Sequence, residues 1–225
     1  MRKLSRSRED YLKAMYALGG PDALVPTSRL ATQLGVSAPS ATVMLSRLAE
    51  QKLVHRMPGE GARLSAEGVR QALALLRRHR ILETFLVRVL GLDWSEVHED
   101  AEVLEHHVSD RVLAAMDRLV GHPAEDPHGH PIPDVRGRVR HRRLVPLSGA
   151  RAGTRAVVRE IRDRDRARMA RWKQAGLVPG ARVLVREVRV LEDVFELVVG
   201  GRTLVTGSEG LEGILIETKG GPHAD

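Results

Sequence analysis

The sequence predicts an α+β chain of several domains: a winged helix-turn-helix, then a pair of long helices, then a small β-rich barrel. Three observations carry this. Residues 27–64 read as helix, tight glycine turn, capped helix and two-stranded ribbon. Residues 65–120 keep apolar side chains at helical spacing. From residue 155 onward Val and Ile alternate with charge, the period of a half-buried strand.

Arg6–Leu18 is the first expected helix, with Tyr11, Leu12, Met15, Tyr16 and Leu18 on one face and Gly19-Gly20-Pro21 ending it. Thr27 can cap a short helix, Ser28–Leu34, that turns Leu30, Ala31 and Leu34 inward. Gly35 supplies a left-handed stop. Ser37 then caps a second helix to about Gln51, with Pro39 in its first turn and Val43, Leu45 and Leu48 available for the core. Leu53–Met57 and Ala62–Leu64 flank Pro58-Gly59-Glu60-Gly61 as a wing.

Two long helices are expected next, about Ser65–Leu90 and Ser95–Val120, with Gly91-Leu92-Asp93 between them and an Asp93…Glu96 capping box. Residues 121–143 read as a linker rich in Gly, Pro and His that ends in a basic run, Arg136 to Arg143. Arg155–Ile161, Arg182–Leu191, Val194–Val199 and Ile214–Glu217 are the expected barrel strands. Arg164–Gln174 is an inserted basic helix, read either as a solvated face or as a DNA contact. The expected boundaries are 1–65, 66–140 and 141–225.

Composition narrows the function. The chain has 225 residues, 42% of them hydrophobic, which is enough for real cores. It has no cysteine, so disulfide scaffolds, thiolate catalysis and Cys-type zinc sites are excluded. No apolar run approaches the ~18 residues of a membrane span. Met1–Asp10 is charged and lacks the apolar centre of a signal peptide, so a soluble, cytoplasmic protein with no membrane partner is expected. The formal charge is +7, with basic first and last thirds and an acidic middle. A basic winged helix suits nucleic acid, and an acidic, His-bearing middle suits cations.

The chemistry lies in that middle. At 100° per residue, His79 falls inside the apolar stripe of the first long helix and Glu83 shares its face one turn on. A carboxylate on a buried stripe is costly unless a cation or several donors meet it. On the second helix His98, Glu102, Glu105 and His106 border the stripe of Val97, Ala101, Val108 and Val112. Antiparallel packing would bring the two sets together. Three carboxylates and three imidazoles suit a divalent transition ion, and Mn²⁺ and Fe²⁺ fit such hard or borderline donors. Zn²⁺ would bind too, so selectivity would rest on geometry and supply.

Several segments together resemble the diphtheria toxin repressor family of metal-dependent transcriptional regulators. They are Glu9-Asp10-Tyr11-Leu12, the turn Gly35 to Val43, Arg78-His79-Arg80, Val97-His98-Glu99, Glu105-His106 and Gly129-His130-Pro131-Ile132-Pro133. Gly176-Leu177-Val178-Pro179-Gly180 resembles the SH3-like domain shared with ferrous-transport accessory proteins. The resemblance implies a helical domain that both binds metal and dimerises, followed by an SH3-like barrel. It implies a primary metal site of Asp10, Glu102, Glu105 and His106, and an ancillary site of His79, Glu83 and His98 with Glu160 and Asp163 from the barrel. Iron-sensing members of the family carry methionine and cysteine where Asp10 and Glu102 stand here, so the resemblance is to the manganese-sensing type. Lys13 stands where those members often have a second N-terminal carboxylate.

The implied function is a homodimeric, Mn²⁺- or Fe²⁺-activated repressor of metal-uptake genes that binds palindromic double-stranded operator DNA. Ser37, Pro39, Ser40 and Thr42 can meet base edges, including thymine methyls, and Thr27 and Ser28 lie at the start of the preceding helix. Arg47, Arg56 and Arg63 are placed for phosphates. Two rival readings remain. One is a winged-helix regulator not gated by metal. The other is a metal-dependent hydrolase with Glu99 or His107 as base, which no His-Glu-x-x-His motif supports.

Overall fold

The computed structural model describes residues 6–57, 59–140, 142–163 and 165–218. Pro58 of the expected wing turn and Arg164 of the expected basic helix lie outside the described residues. The chain divides into two compact units. One comprises residues 1–79 with 133–138, the other 80–132 with 139–225.

In the first unit, α1 (Arg6–Gly19), α2 (Thr27–Leu34) and α3 (Ala38–Glu50) precede the antiparallel wing of β1 (Val54–Met57) and β2 (Gly61–Leu64). The expected elements form for the expected local reasons, with one change at a cap. Pro26, not Thr27, occupies the N-cap of α2 and makes no side-chain cap bond. Gly35 ends α2 at φ 64°, and Val36 N–H donates to the Ala31 carbonyl at 3.0 Å. Ser37 caps α3 by accepting from Ser40 N–H. Leu12, Met15, Leu30, Leu45 and Leu48 are wholly buried, and burial of each contributes about 1.5–3 kcal/mol. Val43 departs from expectation: it is 52% exposed. Val25 bridges to Ala62, adding a third short partner to the wing. The long helix α4 (Ala66–Arg88) starts beside the wing, where Gly68 packs on the Leu53 carbonyl.

The second unit holds α5 (Val97–Leu104), α6 (Asp110–Leu119) and the barrel. One long helix was expected over 95–120, and two short ones form. Ser109 accepts from Val112 N–H and so caps a new helix at Asp110. Val112 consequently leaves the stripe and is 41% exposed. The capping box also fails. Asp93 instead accepts from Ser95 N–H and Oγ–H, and Glu96 makes no cap bond.

The barrel is a six-stranded antiparallel sheet in the order β3 (Val145–Pro146), β8 (Ile214–Thr218), β4 (Arg155–Ile161), β5 (Arg182–Arg189), β6 (Val194–Val199), β7 (Arg202–Thr206). β3 and β7 were not expected from the sequence. The helix α7 (Arg166–Gln174) buries Met169 and Trp172 in the same core as Val158, Val185, Leu197 and Ile214. Trp94, from the segment before α5, belongs to that core too.

Candidate metal centre and nucleic-acid interface

Helix α4 sets His79 and Glu83 one turn apart on one face, and both are buried. Glu83 Oε1 lies 3.1 Å from His98 Nδ1, so α4 and α5 meet at this pair. The other His98 nitrogen lies 3.7 Å from Glu102, one turn along α5. Glu102, Glu105 and His106 each bring one ligand atom to within 4.8 Å of one another. Glu105 is 2% exposed. The end of α5 produces this cluster: Glu105 is its C-cap, and the chain turns immediately after it. Asp10 stands on α1, in the first unit.

Sequence reasoning missed a second group. Asp126, His128 and His130 bring ligand atoms within 4.8 Å of one another. Asp126 Oδ1 accepts from the backbone N–H of His128 at 2.8 Å and of His130 at 2.9 Å. Arg80 Nε approaches the other Asp126 oxygen at 3.6 Å. A guanidinium there already meets the charge that a cation would meet. His128 Nε2 lies 2.7 Å from the Trp94 carbonyl, which fixes Nε2 as the donor and turns Nδ1 toward Glu83, 3.7 Å away. Burial opposes protonation of His128, but the Glu83 hydrogen bond and charge, Asp126 and the Trp94 carbonyl outweigh it. The His128 pKa is raised. The sequence signal was the alternation Asp-x-His-x-His in a Pro- and Gly-flanked loop.

That loop is seated on the barrel. β4 carries a bulge between Val158 and Glu160. Ile161 N–H donates to the His128 carbonyl at 2.9 Å. Gly129, at φ 86°, lies where any Cβ would run into the Arg159 carbonyl. Glu160 is therefore held close to the His128 loop. It is 6% exposed and accepts from Arg162 Nη2 at 2.7 Å. Asp163 pairs with Arg168.

The basic helix α7 is not simply solvated. Arg166 pairs with Glu99 at 2.7 Å and Lys173 with Asp93 at 2.6 Å, so α7 is pinned to the α4–α5 junction and to the start of α5. Lys173, helped by the Ser95 donors, lowers the Asp93 pKa from 3.8 to about 2. Glu99, one of the two candidate bases of the hydrolase reading, is paired with Arg166.

In the first unit, Ser37, Pro39, Ser40, Thr42 and Arg47 are exposed on α3 or its cap, and Arg56 and Arg63 on the wing. Thr27 and Ser28 open α2. Arg56 Nη1 donates to Ser46 Oγ at 2.6 Å, so this arginine ties the wing to α3. Arg63 stands opposite His55 across the ribbon.

Comparison with known proteins agrees along most of the chain. Residues 3–62 match the iron dependent repressor N-terminal DNA binding domain, and residues 65–134 its metal binding and dimerisation domain. Residues 145–218 match the FeoA domain. The iron-dependent repressor IdeR of Mycobacterium tuberculosis is 32% identical over 197 residues, 82% of this chain and 86% of that protein. A transcriptional regulator MntR of Escherichia coli is 44% identical over 87 residues, 39% of this chain and 56% of its own length. A solved manganese-dependent transcriptional repressor in complex with manganese superposes with a TM-score of 0.86 at 38% identity, covering 94% of this chain and all of that one. No helix among the described residues is long and apolar enough to cross a membrane. The chain belongs to the iron-dependent (diphtheria toxin) repressor family, whose members are metal-dependent DNA-binding transcriptional repressors and not enzymes.

Proposed function

We propose that this chain is a cytoplasmic, homodimeric repressor of metal-uptake genes whose binding to palindromic operator DNA is switched on by Mn²⁺, with Fe²⁺ the second candidate. The observation that carries the reading is a donor set made only of carboxylates and imidazoles, buried at Glu83 and Glu105 and half-buried elsewhere: Glu102, Glu105 and His106 gathered at the end of α5, and Glu83 against His98. Oxygen and nitrogen donors without sulfur favour Mn²⁺ and Fe²⁺ when geometry and supply hold back Zn²⁺. The manganese complex of the similar repressor points the same way.

In this reading the domains are 1–65 for DNA binding, 66–140 for dimerisation and metal binding, and 141–225 for the SH3-like barrel. Asp10 joins Glu102, Glu105 and His106 as the primary ligands. His79, Glu83 and His98 form the ancillary set, and Glu160 and Asp163 exchange their arginine partners to complete it. Bound metal supplies a concentrated positive charge that carboxylates from the DNA-reading helix and from the dimer frame can share. Asp10 then ties α1 to α5, which selects one separation of the two recognition helices, roughly 34 Å for successive major grooves. Metal shifts that equilibrium only as far as it favours the DNA-competent arrangement. The apolar face of α6, with Val112 41% and Leu119 66% exposed, supports burial against a second copy.

Thr27, Ser28, Ser37, Pro39, Ser40 and Thr42 face the groove in this reading. Arg47, Arg56 and Arg63 meet phosphates, and Arg56 also braces Ser46.

A mobility shift on pooled promoter fragments tests it, run in chelator and then with Mn²⁺, anaerobic Fe²⁺ or Zn²⁺. Specific binding should require metal and vanish in an Asp10→Ala/Glu102→Ala variant. Specific binding that persists in chelator would leave a repressor not gated by metal.

A further inference from the structure

The helix that carries most of the candidate metal donors is a weak helix by itself. α5 has eight residues, and isolated helices shorter than ~12–15 residues are marginal in water. Its N-cap, Glu96, makes no side-chain cap bond, and of its own residues Val97 and Ala101 alone are buried. Yet His98 and Glu102 stand on it, Glu105 is its C-cap and His106 follows. Packing from outside the helix therefore has to order these donors.

Helix α7 supplies that packing within the second unit. Met169 and Trp172 seat α7 in the barrel core, and Trp172 Nε1 donates to the Gly210 carbonyl at 2.8 Å. Arg166 and Lys173 stand two turns apart on α7, so they share one face about 10.5 Å apart along the axis. Their partners run in the opposite direction along the chain. Lys173 Nζ donates to Asp93 Oδ2 at 2.6 Å, and Arg166 Nη2 donates to Glu99 Oε2 at 2.7 Å. Trp94, beside Asp93, is buried in the barrel core as well. Anchoring at Asp93 and Trp94 alone would leave α5 free to pivot about its start. The Arg166–Glu99 pair lies inside the helix, between His98 and Glu102 in the sequence, and fixes its direction.

Resting on the metal-gated reading above, we infer that Arg166 is a positioning residue for the metal site: by holding Glu99 it keeps α5 in the arrangement whose donors converge. The Arg166 side chain is 50% exposed and that of Glu99 74%. Exposed ion pairs add little to global stability. The effect of this one falls on the population of the metal-ready arrangement, and apparent metal affinity scales with that population.

Charge reversal separates positioning from bare electrostatics. Arg166→Glu adds negative charge near the donors, which by Coulomb attraction alone would tighten binding of a cation; loss of positioning weakens it. Mn²⁺ affinity is measured by calorimetry on the full-length protein without DNA, for the wild type, Arg166→Glu, Glu99→Arg and the double variant. Hydrogen exchange of the α5 amides is followed in the metal-free state. Arg171→Glu is the control, because Arg171 is an exposed cation of the same helix with no ion pair among the described residues. Each single reversal of the pair should weaken Mn²⁺ binding about threefold to tenfold, as the metal-ready population falls by that factor, and speed α5 exchange. The double variant should recover both to within about twofold. Arg171→Glu should leave exchange unchanged and affinity unchanged or slightly tighter. Thermal melting should match the wild type throughout.

Mn²⁺ affinity and α5 exchange unchanged in both single variants would overturn the inference and leave the repressor reading standing. So would a double variant that recovers neither, or an equal loss in Arg171→Glu. If the wild type binds neither Mn²⁺ nor anaerobic Fe²⁺, the metal-gated reading falls and this inference falls with it.

Discussion

Glu83 and His98 are legible in the sequence because each sits on a helix, where a fixed angle per residue tells which side chains share a face. Asp126 and His128 could not. Their placement depends on a loop docked into the bulge of β4, a pairing between segments about thirty residues apart along the chain. Val43 was legible as apolar but not as exposed, because helical spacing alone does not say which of two faces meets the core. Gly129 carries the clearest prediction at this scale. Its φ of 86° and its contact with the Arg159 carbonyl leave no room for a side chain. Gly129→Ala should cost at least about 2 kcal/mol from backbone strain and overlap, read as a lower denaturant midpoint. An unchanged midpoint would show that the loop does not sit in the bulge.

At the scale of elements, α1 to α3 and the wing were legible because caps, a left-handed glycine and the apolar period all agreed. The helix expected over 95–120 failed at Ser109, where a local capping bond outcompeted continuation. The docking of α7 was hidden because its partners, Asp93 and Glu99, are distant in sequence. That docking depends on pH. Asp93 titrates at about 2 in the folded protein, below its ordinary 3.8. A depressed carboxylate contributes stability that is fully present above its unfolded pKa and is lost as pH falls through the folded value. The Asp93–Lys173 pair should therefore weaken between about pH 4 and pH 2. Asp93→Asn should flatten that part of the stability curve, as followed by Trp fluorescence in acid titration. A variant with the wild-type acid profile would show that the pair contributes nothing to docking.

Across the whole molecule, the proposed function divides its metal donors between the two compact units. Asp10 belongs to the unit that reads DNA, and Glu102, Glu105 and His106 belong to the unit with the dimerisation helices. The residue types of that set were legible; the division of the folded chain into two units was not, since residues 133–138 return to the first unit from a segment that reads as linker. A further consequence lies in the barrel core. Trp94, which precedes α5, is 8% exposed there. Trp94→Ala should destabilise the second unit by about 3–5 kcal/mol, as measured by chemical denaturation. A loss under about 1 kcal/mol would mean that the barrel core does not depend on it.

In a metal-dependent repressor, metal and DNA binding form one coupled equilibrium. Reciprocity then fixes the result: the factor by which operator DNA tightens Mn²⁺ binding must equal the factor by which Mn²⁺ tightens operator binding. Calorimetric Mn²⁺ titration with and without the selected operator, beside operator affinity with and without Mn²⁺, measures both. Equal factors of about tenfold or more are expected. Mn²⁺ affinity unchanged by operator DNA would contradict it.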